Sequence, residues 1–202
     1  MSCNGRSVGG AFDNLFRDLK AYITAYGVFI PLKTMDVETP GEFDGLTIAI
    51  NSLHHPESRS YYLAHAFGSI VQWSTDFEAA EKVFNELRRA AGSRQQQPDR
   101  FEDALKAYCR FEQTSSEHAV WVLEQIGHRR AIRPYTIFFR ADLEVMKIFH
   151  STGHSPRWPE FYAQWKRRAK SGEVWVEPFT PKPFSRFQPV RIERQEVLQE
   201  RT

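Results

Sequence analysis

Hydrophobic residues along most of this chain recur at intervals of three and four, which predicts a mainly helical protein. The clearest run lies at 11–26, where one helix face is apolar and Gly27 marks the end of the helix. The same spacing predicts helices over 77–91, 101–111, 117–126, 134–152 and 156–168. Residues 114–116, Thr-Ser-Ser, fit either a break or one continuous helix.

Two short apolar runs predict strands instead of helices. The run 28–32 contains Pro31, which favours the edge of a sheet, and the run 46–50 reads Leu-Thr-Ile-Ala-Ile. We therefore expect a small, mostly antiparallel sheet of two or three strands. The fold class predicted is α+β, mainly helical.

The region 43–73 combines a strand, a polar loop and a helix with His65 midway along it. A helix in this position suits the zinc motif H-E-x-x-H, because residues four apart share one helix face and two imidazoles then reach one metal ion. The glutamate beside the first histidine acts as general base for the metal-bound water. Here Ala66 stands at the glutamate position and Ser69 at that of the second histidine.

The residues around this broken motif resemble the ImmA/IrrE-type zinc metallopeptidases. The shared features are Gly45, the strand end Ile48-Ala49-Ile50-Asn51, Arg59 in a turn, and Leu63-Ala64-His65 before the altered positions. The family's third ligand is a glutamate in a later helix, E-A-x-x-F-A-x-x-L-L, which 117–126 matches through Glu117. The resemblance implies a zincin-like (metallopeptidase-like) fold with a remnant cleft formed by His65, Ala66, Ser69 and Glu117.

The Gly-rich start of the chain and its proline-rich end predict the limits of the domain, and the resemblance implies a setting. We expect a disordered N-terminus at 1–10, one metallopeptidase-like domain at 11–172, and an extended Pro- and Phe-containing segment at 173–202 that lies against the body or a partner. Relatives in the family often work with helix-turn-helix repressors of mobile elements or stress-response loci. A regulatory or phage-related role follows from that resemblance.

A catalytic zinc site needs three protein ligands, and His65 with Glu117 supplies two. His54 and His118 are the alternatives for the third ligand. We expect no cofactor, with zinc at these residues as the exception, and no catalytic residue. Ala66 cannot accept a proton, and a positioned general base contributes roughly 100- to 10,000-fold to the rate. The leading hypothesis is thus a pseudoenzyme that binds a protein or peptide partner through the cleft or the C-terminal segment; the alternative is a metal-dependent hydrolase with a non-standard site.

Composition narrows the classes of partner. The chain has 202 residues, 41% of them hydrophobic and 14% aromatic, as expected of a folded globule. The net charge of +2 requires neither a nucleic-acid nor a membrane partner, and the basic clusters lie at helix ends, where cations stabilise the helix. A nucleic-acid-binding regulator is therefore only the third hypothesis. Two cysteines, Cys3 and Cys109, and the lack of an apolar run of about 20 residues indicate a cytoplasmic protein without disulfides.

Overall fold

The computed structural model describes residues 8–36 and 40–192, and over these the protein is α+β and mainly helical. Six α-helices surround a small three-stranded sheet in the described residues. In chain order the elements are α1 (Val8–Thr24), β1 (Leu32–Lys33), β2 (Gly41–Phe43), β3 (Ile48–Asn51), α2 (Pro56–Thr75), α3 (Phe77–Gly92), α4 (Pro98–Gln125), α5 (Ile132–Thr152) and α6 (Trp158–Ser171), with a 3-10 turn at Arg129–Ala131 before α5.

Local signals fix where the central helices begin. The imidazole Nδ1 of His55 accepts a hydrogen bond from the Glu57 N–H at 3.2 Å and Pro56 opens the first turn of α2. The Asp76 carboxylate accepts from the Ala79 N–H at 3.3 Å and caps the first turn of α3. The question left open at 114–116 is answered, because α4 runs through these residues without a break.

The sheet has the order β1-β3-β2 and is mixed. The pair β2 and β3 is antiparallel, joined by a turn in which Asp44 Oδ1 accepts from the Thr47 N–H at 2.8 Å, whereas β1 runs parallel to β3. The expectation of a mostly antiparallel sheet is therefore wrong for one of the two pairings. The apolar pattern did not determine the direction of this pairing, because alternation places Val28 and Ile30 on the buried face whether the strand runs parallel or antiparallel to β3.

Helix α2 is the centre of the molecule. It packs against α1, α3, α4 and the sheet, and more than half of its residues are buried, including Tyr61, Leu63, Phe67, Ile70 and Val71. An apolar helix that is enclosed on most sides has no broad polar face. A side chain placed on α2 therefore meets protein at most positions.

Helices α2 and α4 approach each other closely at Gly68. A methyl group built on Gly68 would overlap the backbone carbonyl of Ser115. The small residues Ser69, Ser115 and Ser116 lie at the same contact and are all buried. The two helices come together here because these positions lack bulk.

Replacing Gly68 by alanine should therefore destabilise the protein, although alanine is the better helix former by about 1 kcal/mol. Overpacking against a backbone that cannot move alone costs about 1–3 kcal/mol or more. The matched control is Gly92→Ala in α3, where a methyl group meets nothing within 4 Å. Urea unfolding should show a loss for the first variant and none for the second; equal midpoints would contradict the close helix contact.

Residues 173–192 follow α6 without helix or strand and lie against the body of the protein, one of the two arrangements predicted. Phe179 is 3% exposed and packs on Tyr135 and Phe139. Further along, the Ile192 N–H donates to the Asp44 carbonyl at 2.8 Å. We refer to 173–192 as the C-terminal segment.

The remaining boundary predictions concern the chain ends. Helix α1 begins at Val8, three residues before the expected start, so 8–10 are helical rather than disordered. The other parts of those predictions, disorder at 1–7 and extended chain at 193–202, lie outside the described residues. No helix in the described ranges has both the length and the apolar character needed to cross a membrane.

Candidate functional site

His65 projects from the middle of α2 towards α4 and α5. Its Nε2 lies 2.9 Å from Glu112 Oε2, and its Nδ1 lies 3.5 Å from the Ser116 hydroxyl. Its ring stacks on Phe139 with centroids 4.1 Å apart. Since a carboxylate oxygen only accepts, Nε2 donates the proton in this hydrogen bond.

The His65–Glu112 pair is largely buried, with side chains 13% and 9% exposed. Such a pair adds little net stability, because desolvation offsets the attraction, yet leaving one member unpaired costs about 3–5 kcal/mol. The pair therefore disfavours any other register of α2 against α4. This is a structural role for His65, the histidine on which the predicted zinc motif was based.

The two altered positions of the motif lie inside the protein. Ala66 is 0% exposed and belongs to the main core, and Ser69 is 2% exposed. The Ser69 hydroxyl donates to the Ser115 hydroxyl at 3.1 Å, and the Gln72 amide donates to the same serine oxygen. Ala66 and Ser69 therefore take part in packing between helices.

The acid beside His65 is Glu112 and not the predicted Glu117. The two acids are five positions apart, which places them about 140° apart around the α4 axis. The Glu117 carboxylate accepts from the Gln113 amide at 3.0 Å. The predicted convergence of Glu117 with His65 and Ser69 is thus replaced by a cluster in which α4 contributes Glu112, Ser115 and Ser116.

The residues present do not fit a zinc site. In the described parts of the chain, no three His, Cys, Asp or Glu side chains are grouped so that they hold a metal ion. The set predicted for a retained zinc, His65 and Glu117 with His54 or His118, is therefore not assembled. His118 instead uses its Nδ1 to bond the Lys182 carbonyl at 2.8 Å.

The position of Glu112 on a helix face could have indicated from the sequence that this acid is buried beside a partner. Glu112 lies on the same side of α4 as Tyr108, Phe111, Ser115 and Ala119, all of which are buried. A charged residue on an apolar helix face is rarely buried without a partner. Glu112 was thus a candidate partner for a buried histidine on a neighbouring helix.

His118 attaches the C-terminal segment to α4. It is 5% exposed, and burial lowers its pKa below the ordinary value of 6.5, while the hydrogen bond to Lys182 opposes that change. Because the folded pKa is depressed, the folded state prefers the neutral ring. The stabilising effect is complete above pH 6.5 and is lost as the pH falls through the folded pKa.

Acidification should consequently weaken the wild type more than a His118→Asn variant. The asparagine amide keeps a donor for the Lys182 carbonyl but does not titrate. Free energies of unfolding measured at about pH 7.5 and about pH 5.5 give the comparison, and the difference between the two proteins removes the effect of the other histidines. An identical pH dependence in both proteins would contradict a neutral, buried His118.

Comparison of the chain with protein-family models, with curated proteins and with solved structures finds no match. The resemblance to the ImmA/IrrE-type metallopeptidases therefore stays a prediction based on the residues around His65.

Proposed function

We propose that this protein acts by binding a protein or peptide partner and does not hydrolyse peptides. In this proposal the frame is zincin-like (metallopeptidase-like), and the former catalytic positions now stabilise the fold. The observation that supports it most is the burial of Ala66 in the main core and of Ser69 at the contact of α2 with α4. A catalytic helix would have to present these positions to substrate and water.

The chemistry of the His65 cluster agrees with a non-catalytic role. A general base must reach the proton it removes, either directly or through one water. Glu112 already accepts the His65 proton at 2.9 Å, and Phe139 covers the ring face. The cluster lacks an exposed, free group that would activate water.

The C-terminal segment, one of the two binding surfaces expected from the sequence, is poorly placed to bind a partner. Its Phe184 contacts Trp121 and Phe67, and its Phe187 stacks on Tyr26 with centroids 5.1 Å apart. These aromatic rings are engaged within the protein's own body. A partner is therefore better accommodated on a surface that the chain leaves open.

The hydrolysis half of the proposal is tested by incubating a defined mixture of peptides with the protein and zinc and following cleavage by mass spectrometry. Wild type and His65→Ala should both leave the peptides intact. Cleavage by wild type that disappears in His65→Ala would contradict the proposal and favour a hydrolase with an altered site.

A further inference from the structure

An open groove of about 590 Å³ lies where the first turns of α1, α2 and α5 meet α6. Its apolar lining includes Phe12 from α1, Ile137 from α5 and Tyr162 from α6. The volume falls within the range of known ligand sites, roughly 300–1,000 Å³. None of the residues of the His65 cluster lines it.

The polar residues of the groove are strongly unequal in charge. Arg133, Lys166, Arg167 and Lys170 line it together with one acid, Glu57. The excess of positive charge in this one groove is larger than the net +2 of the whole 202-residue chain. This excess of positive charge favours an anionic ligand.

One of the four cations is already paired inside the groove. Lys166 Nζ lies 3.1 Å from Glu57 Oε2 and above the Tyr162 ring, 5.1 Å from its centroid. The Tyr162 hydroxyl donates to the same carboxylate at 3.4 Å. This network holds the apolar lining in place and leaves the charges of the other three cations to a ligand.

The remaining cations, Arg133, Arg167 and Lys170, are exposed, and no ion pair joins them to another residue within 8–36 and 40–192. The ends of the chain itself match this charge poorly. Residues 1–7 include Arg6 and no acidic residue, and in residues 193–202 two arginines offset two of the three glutamates. An acidic occupant from another molecule is the complementary choice.

We propose that this groove binds an acidic segment of a partner protein, with carboxylates at Arg133, Arg167 and Lys170 and apolar side chains on Phe12, Ile137 and Tyr162. The inference rests on the proposed binding function and names the surface and the chemistry of the partner. An open groove between four helices suits a chain that enters at one end and leaves at the other. Exposed charges alone bind weakly, so the apolar contact is needed for affinity.

Fluorescence anisotropy with labelled model peptides tests this directly. The probe alternates glutamate with leucine and phenylalanine, and two further peptides replace either the glutamates by lysine or the apolar residues by serine. Wild type should bind the first peptide at least about tenfold more tightly than either of the others. Raising the salt from 0.1 M to 1 M, which shortens the Debye length from about 10 Å to about 3 Å, should weaken that binding.

Charge-reversal variants test whether the acidic peptide binds in this groove. Arg133→Glu with Lys170→Glu should weaken binding of the acidic peptide at least about tenfold. The matched control is Lys82→Glu with Arg110→Glu, the same change of charge at exposed positions of α3 and α4 outside the groove, which should bind as wild type does. Both variants should melt at the wild-type temperature, since all four side chains are exposed.

Three outcomes would overturn the inference. The first is equal binding of the acidic and basic peptides, and the second is an equal loss of peptide affinity in the groove variant and the control variant. The third is binding of dodecanoate at the groove without binding of the peptide, which would identify a small amphipathic anion as the ligand. Each of these leaves the peptide-hydrolysis result untouched. A failure here is thus distinguishable from a failure of the proposed non-catalytic role.

Discussion

Completing the predicted zinc motif, as Ala66→Glu with Ser69→His, is expected to destabilise the protein severely and to confer no zinc binding. Ala66 is 0% exposed in the core, so a glutamate there buries a carboxylate with no partner, which costs about 3–5 kcal/mol. Ser69 adjoins the contact at Gly68, where even a methyl group does not fit. A histidine ring at Ser69 would force α2 and α4 apart.

The size of this effect sets what a thermal melt should show. A loss of 5 kcal/mol or more approaches the whole stability of many domains, about 5–15 kcal/mol. For a chain of this length each kcal/mol lowers the melting temperature by roughly 2–4 °C. We expect a decrease of at least about 10 °C, or no folded protein, with the same result when zinc is added.

The matched control places the same substitutions on a surface. Ala163→Glu with Ser171→His changes two exposed residues of α6 and should alter the melting temperature by no more than a few degrees. If the core double variant instead keeps its baseline stability and gains stability with zinc, the motif positions are merely vacant. That result would show that the packing does not exclude a metal.

The second large effect is expected at Phe179, a residue of the C-terminal segment whose ring packs into the core. Phe179→Ala removes contacts with Tyr135 and Phe139 and a cation–π contact in which the Arg140 guanidinium lies 4.4 Å from the ring centroid. Truncation of a buried phenylalanine costs about 3–5 kcal/mol. Denaturant unfolding should show this loss in the midpoint.

Trp175 provides the control, because it belongs to the same segment and is 85% exposed. Trp175→Ala should change stability by no more than about 0.5 kcal/mol. Equal effects of the two substitutions would mean that the C-terminal segment does not contribute to the core. Limited proteolysis of the Phe179 variant should in addition cut within 173–192 faster than in wild type.

The helices of this fold followed from the sequence because local periodicity determines them. The pattern at 11–26 and at 77–91 is amphipathic, and both helices form, although α1 extends back to Val8. Strand direction was not accessible in the same way. The alternation that buries Val28 and Ile30 is compatible with either direction, and the parallel pairing of β1 with β3 is decided by contacts between distant parts of the chain.

In the candidate site, too, the sequence predicted what depends on local structure and missed what depends on the packing of helices. The sequence placed His65 on a helix, and the structure confirms it, because position along α2 is a local property. The partner on α4 required knowledge of how two helices pack. Glu112 and Glu117 are both acids on one helix, and the spatial proximity to His65 distinguishes them.

The central claim is our proposal that the positions of the predicted zinc motif stabilise the fold, with Ala66 in the core and Ser69 at the contact of α2 with α4, and do not bind metal. Its most direct test is the zinc content of protein purified without added zinc and dialysed, measured by atomic emission against protein concentration. The claim predicts clearly less than one zinc per chain, because His65 is paired with Glu112 and lacks the further ligands that a site needs. One zinc per chain that survives dialysis, and is lost in His65→Ala, would contradict it.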